Sequence, residues 1–134
     1  MRIFASTLLG CLLALPALAQ QVPPADEVMK AVSRGKAYTM VLLHKGPNRG
    51  KETAEAGKKT QMAHLQYLFS LKARGILPIF GPFDDDGDIR GIGISPLTDT
   101  TELRKIFAED PHVKAGNLIV RFRPWFGLPG DSLN

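Results

Sequence analysis

Three histidines, His44, His64 and His112, are the side chains in this sequence best suited to moving a proton near neutral pH. His64 is set apart by its neighbours. In segment 60–71, Met62, Leu65, Leu68, Phe69 and Leu71 project at about 100° per residue onto one broad apolar face. His64 and Gln61 fall inside that arc, away from Gln66 and Ser70. An inward-facing imidazole must find a hydrogen-bond partner. Two readings follow: a core histidine tied to a backbone carbonyl, or a general acid or base.

Asp110 is the candidate partner for the second reading. A carboxylate beside an imidazole orients it, the usual device for a general base. The competing reading of Asp110 is a helix-terminus or Asx-turn residue ahead of Pro111. Arg121 and Arg123 share one face of a strand and could position an anion, although surface charge is the simpler role for at least one of them.

Other chemistries lack their residues. There is no His-x-His or His-x-x-x-His spacing, so no metal site is expected. Phosphate loops, dinucleotide fingerprints and Gly-x-Ser-x-Gly are also missing, so no cofactor is expected. The acidic run 84–88 looks like the start of a calcium loop. Its required glycine is Ile89 and its closing glutamate is Ser95, which leaves a solvated hairpin tip.

The elements that must position these residues follow from periodicity and punctuation. Residues 37–44 form a first strand ending at Gly46-Pro47-Asn48. The polar stretch 49–60 leads into a first helix that runs to Arg74, with Gly75 as its left-handed stop. Residues 76–83 make a second strand, with Pro78 at its start or on an edge. An Asp-Gly turn leads to a third strand, 89–95, where Gly91 and Gly93 leave space over one sheet face for a backbone or a ligand. Asp99 and Glu102 have capping-box spacing, and Leu103, Ile106 and Phe107 stripe a second helix that ends at Asp110-Pro111. The fourth strand is 118–123, after which 124–127 leaves the sheet. The order βαββαβ is an α+β, ferredoxin-like split unit, a four-stranded antiparallel sheet with both helices on one face. In such a unit the loop leaving the second helix comes near the first, so Asp110 could reach His64 directly or across a subunit boundary.

Residues 1–19 read as a signal peptide. Arg2 precedes an apolar run from 3 to 15, Pro16 breaks it, and Ala17-Leu18-Ala19 has the small-x-small pattern of a cleavage site. The expected product is a periplasmic or secreted protein beginning at Gln20, with no stable membrane association. A lipoprotein reading of Cys11 is disfavoured, because too little apolar sequence precedes it. Cys11 is the only cysteine, so the mature chain has no thiol chemistry. Residues 20–36 are a lead-in with a short helix near 25–32, 37–127 form the domain, and 128–134 are a tail. The net charge of +4 is scattered, with no basic stripe interleaved with aromatics, so no nucleic-acid partner is expected.

Strand one is apolar on both faces, with Val41 and Leu43 on one and Met40 and Leu42 on the other. Helices cover only one face, and an antiparallel sheet open to water should alternate. A homodimer through the open face, enclosing a shared cavity, is expected.

The segments 63–68, 81–83, 109–116 and 123–127, reading AHLQYL, GPF, EDPHVKAG and RPWFG, resemble the YCII-related family in order and spacing across about 37–127. The resemblance implies a dimeric ferredoxin-like α+β barrel. It also implies that His64 and Asp110 match the pair regarded as that family's active site. One branch of the family eliminates chloride from a chlorinated hydroquinone, and most members have no known reaction. Some members carry an acidic residue where this chain has His44-Lys45, and often an aromatic one where it has His112. A more basic pocket mouth suits an anionic substrate or marks lost chemistry, and makes His44 and His112 candidate substrate contacts beside Arg121 and Arg123. The expected function is a cofactor-free lyase or isomerase step on a small aromatic or anionic molecule. The alternative is a non-catalytic binding or interaction module with the same fold.

Overall fold

A computed structural model describes residues 22–131. The expected signal peptide, its cleavage after Ala19 and Cys11 lie outside the described residues, as does the end of the tail. The chain runs α1 (Ala25–Val32), β1 (Lys36–Lys45), α2 (Ala54–Ala73), β2 (Ile79–Pro82), β3 (Ile89–Ser95), α3 (Thr100–Ala108), α4 (Pro111–Lys114) and β4 (Leu118–Gly127). The strand order is β2-β3-β1-β4 and every pairing is antiparallel. This is the α+β, ferredoxin-like split unit, with α1 ahead of it and the short α4 inserted before the last strand.

Strand alternation turns Val41 and Leu43 of β1 toward the helices, where they join Leu68 and Leu71 of α2 and Leu103 and Phe107 of α3 in one buried cluster. Burying each such side chain contributes about 1.5–3 kcal/mol. Thr39, also buried, donates its hydroxyl to Leu97 O at 2.7 Å, so the one buried polar residue on this stripe of β1 is satisfied.

Helix α2 begins earlier than its apolar residues suggest. Thr53 caps it by accepting from Ala56 N, and Gly57 lies within its first turns. The inward ridge is also narrower than the projected arc: His64, Leu68 and Leu71 are buried, whereas Met62 and Phe69 are 58% and 60% exposed. Those two sit on the helix flanks, and Phe69 packs edge-on against Phe80 at 5.5 Å. Gly75, at φ +70°, ends the helix as expected.

Two strand limits differ from expectation. Ile76 and Leu77 still donate to Leu71 O, so they belong to the end of α2 and β2 starts only at Ile79, after Pro78. At the other end, Pro124 to Gly127 do not leave the sheet: β4 continues, pairing Pro124 with Thr39 and Gly127 with Lys36. β4 is an edge strand, where the missing proline N–H can fall on the unpaired side.

The second sheet face carries Met40 and Leu42, opposite Ile94 and Ile92. Ile119 and Trp125 extend it on β4, 45% and 40% exposed. No described helix packs on it.

Candidate active site

Asp110 is fixed by local chain chemistry. It precedes proline and takes the extended conformation that proline imposes (φ −62°, ψ 130°), and Pro111 opens α4 at its first position. From there Oδ1 accepts from His112 N at 2.8 Å and Val113 N at 3.4 Å, so the carboxylate caps α4. Sequence reasoning missed α4, although Asp-Pro is a recognisable helix start.

The same carboxylate reaches His64. Nδ1 lies 2.7 Å from Asp110 Oδ2 and 3.0 Å from Oδ1, with Asp110 fully buried and His64 6% exposed. The carboxylate therefore caps α4 and meets His64 at once, and the contact is made within one chain. A carboxylate accepts, so Nδ1–H donates, and in the neutral ring the lone pair is on Nε2. Nε2 has no protein partner and is not sealed from solvent. The ring lines a cavity of about 200 Å³.

His112 is the second imidazole of the site, its ring centroid 4.9 Å from that of His64. Both its nitrogens are occupied: Nε2–H donates to Gln61 Oε1 at 2.9 Å, and Nδ1 accepts from Asn117 Nδ2 at 3.2 Å. Asn117 Nδ2 also donates to Glu52 Oε2, and Thr60 donates to Glu52 Oε1. Burial, more than any neighbour, lowers the His112 pKa below the usual histidine value. His64 and Arg49 act in the same direction, against Asp110 and Glu52. His112 is thus held neutral as a fixed wall, and His64 keeps the free nitrogen.

The cavity lies between α2 and the sheet. Leu65 and Leu68 face it from the helix, and Gly91 and Gly93 from β3. The glycines serve close approach: a Cβ on Gly93 would come within 2.7 Å of Leu77 Cδ1, and one on Gly91 within 2.9 Å of Gly81 O. The cavity is on the helix side, whereas the expectation put a shared cavity behind the open face.

The remaining expected contacts are elsewhere. Arg121 and Arg123 pair with Leu42 and Met40 and stand exposed on the open face, because Val120 and Phe122 take the inward positions of β4. His44 also belongs to that face, its Nδ1 bonded to Asp88 Oδ2 at 2.6 Å and its Nε2 buried without a partner. These three do not join His64. Sequence reasoning gave no role to Arg49, Arg90, Glu52 or Asn117. Only Gln61 had a legible signal, one helical turn before His64. Among the described residues, no group of three or more His, Cys, Asp or Glu side chains is arranged to hold a metal ion.

A family model described as the YCII-related domain matches residues 37–125. Among solved structures, the chain is similar to 5-chloro-2-hydroxyhydroquinone dehydrochlorinase from Burkholderia phenoliruptrix AC1100 in complex with 2,5-dihydroxybenzoquinone. The identity is 25%, the match covers 66% of this chain and 92% of that one, and the TM-score is 0.49. No curated protein sequence matches the chain.

Proposed function

Since the chain belongs to the family of YCII-related domains, we propose that it is an enzyme acting on a small molecule, with His64 as general base or acid and Asp110 as its positioning partner. One observation carries the reading: the buried carboxylate takes Nδ1–H of His64 and leaves Nε2 without a protein partner, on a ring that borders a cavity. In the base direction, Nε2 accepts a proton from the bound molecule, and Asp110 stabilises the resulting imidazolium. In the acid direction the same nitrogen returns the proton to a neighbouring atom. That sequence serves lyase and isomerase steps without a cofactor.

The test is a thermal-shift screen of small metabolites, since a ligand that binds only the folded state raises Tm. Hits are then incubated with the wild type and with His64→Ala. Conversion should fall at least about 100-fold in the variant. Conversion at an unchanged rate would sink the assignment. So would imidazole ¹⁵N spectra of the wild type placing the proton of His64 on Nε2.

Two further parts belong to this reading. The open face, with Met40, Leu42, Ile92 and Ile94 uncovered by helices, supports self-association into a homodimer. Sedimentation should give a dimer mass that Leu42→Glu halves, and a monomeric mass at micromolar concentration would count against it. The pattern of residues 1–19 supports export to the periplasm or beyond. Mass spectrometry should find Gln20 at the mature N-terminus, and a lipid-modified Cys11 would refute the cleavage.

A further inference from the structure

The cavity beside His64 is lined by two arginines, Arg49 and Arg90, and two histidines, with no aspartate or glutamate among its lining residues. Two carboxylates bonded to its lining residues or their partners are committed within the protein. Asp110 is bonded to His64 and to the His112 backbone, and Glu52 accepts from Thr60 and Asn117. Arg49 stands in the exposed turn after β1 and makes no ion pair among the described residues. Its charge is felt inside the site, where it helps to depress the pKa of His112.

Arg90 is anchored differently. Its Nη1 donates to the hairpin carbonyls of Asp85 and Gly87 and lies 3.9 Å from the Asp85 carboxylate, while its Nε is buried without an acceptor. A buried N–H donor left unpaired is uncommon in folded proteins. Gln61 adds a third source of donors: its amide oxygen accepts from His112, which leaves its NH₂ group unassigned. The lining side chains thus offer positive charge and donors, and Nε2 of His64 as an acceptor.

We propose that this cavity selects small organic anions and that Arg49 is the residue that selects them; the proposal rests on the cavity being the substrate site. Its size limits the ligand. A dry cavity of about 150 Å³ accommodates benzene, so a space of about 200 Å³ suits one substituted ring or a chain of similar bulk. Arg49 and His64 border the same small space, so a ligand held by the guanidinium lies within reach of the imidazole. A guanidinium pairs with a carboxylate through two parallel N–H donors, a geometry that lysine does not reproduce.

Benzoate and benzamide serve as probes, alike in size and different in charge. Each is titrated into the wild type, Arg49→Gln and Arg49→Lys while the His64 and His112 imidazole signals are followed by NMR. Arg49 is exposed, so both variants should keep the wild-type amide spectrum. Benzoate should bind the wild type at least about 10-fold more tightly than benzamide, as one charge-assisted hydrogen bond provides. Arg49→Gln should erase that preference and leave benzamide within about twofold of its wild-type affinity, and Arg49→Lys should restore part of it. A benzoate preference that survives Arg49→Gln overturns the role of Arg49. Equal binding of both probes to the wild type overturns anion selection while the cavity remains a ligand site. If neither probe shifts His64, anion selection fails together with the substrate-site reading.

Discussion

His64 Nδ1 meets Asp110 Oδ2 at 2.7 Å, and His44 Nδ1 meets Asp88 Oδ2 at 2.6 Å. The atoms and the geometry are nearly the same, and the surroundings are not. Asp110 is fully buried and its other oxygen is held by backbone N–H groups of α4; Asp88 is 71% exposed on a hairpin. The free nitrogen of His64 meets a cavity, whereas that of His44 is buried on the open sheet face with no hydrogen-bond partner. The hydrogen bond alone therefore does not tell the two pairs apart. What distinguishes the first pair is a carboxylate that cannot move and a second nitrogen with somewhere to act.

The sharpest way to break this contrast is Asp110→Asn. Asparagine still caps α4 through its oxygen, but it turns an NH₂ group toward His64, which moves the imidazole proton to Nε2. Turnover of any substrate found should fall about 10⁴-fold, the loss that the wrong tautomer causes in a serine-protease triad. Imidazole ¹⁵N shifts should report the change in the resting protein. Asp88→Asn should leave turnover unaltered.

Next in size is the stability cost of Asp110→Ala. The truncation removes the cap and leaves His64 Nδ1–H and two backbone donors unpaired in a buried place, a loss of about 3 kcal/mol. Urea denaturation measures it through the midpoint at constant slope. A loss below about 1 kcal/mol would mean that water replaces the carboxylate, and that the site is less enclosed than its burial indicates.

The two halves of this pair were not equally legible in the sequence. His64 could be read as inward because helical periodicity places i, i+4 and i+7 on one side, and His64, Leu68 and Leu71 are that ridge. The width of the apolar arc could not be read, since Met62 and Phe69 are apolar and yet exposed. Asp110 was visible as a residue before proline, but its second bond, to His64, joins positions 46 apart and depends on how α4 docks against α2. Alternation puts Arg121 and Arg123 on one face without saying which face the helices cover, so their separation from His64 could not be read. Arg49 stands in a polar loop that has no periodicity, so nothing local pointed it toward the cavity.

A smaller effect separates the site from the rest of the protein by pH. His112 has a lowered pKa in the folded state, so the unfolded chain takes up this proton first as pH falls. The contribution of His112 to stability is complete above its unfolded value of about 6.5. It is lost as pH drops from there toward the folded value, and levels off below it. Tm should fall across that window, as thermal denaturation at stepped pH reads it. His112→Gln, which keeps a donor and an acceptor for Gln61 and Asn117, should remove that component. A wild-type slope that persists in the variant would assign it to other groups.

Smallest of all is the effect of Asp88→Ala. Its carboxylate is mostly solvated, so folding gains little by bringing it to His44, and an exposed pair contributes about 0–1 kcal/mol. Added salt should shrink even that, because at 1 M the screening length is about 3 Å, comparable to the separation of the pair. Urea midpoints of the wild type and Asp88→Ala should therefore differ slightly in dilute buffer and coincide in 1 M NaCl. The Asp110→Ala difference should persist in the same salt, since its groups are shielded from ions by the protein itself. If Asp88→Ala instead cost as much as Asp110→Ala, burial would not be what sets the two pairs apart. The buried Nε2 of His44 would then mark the open face as the more demanding environment.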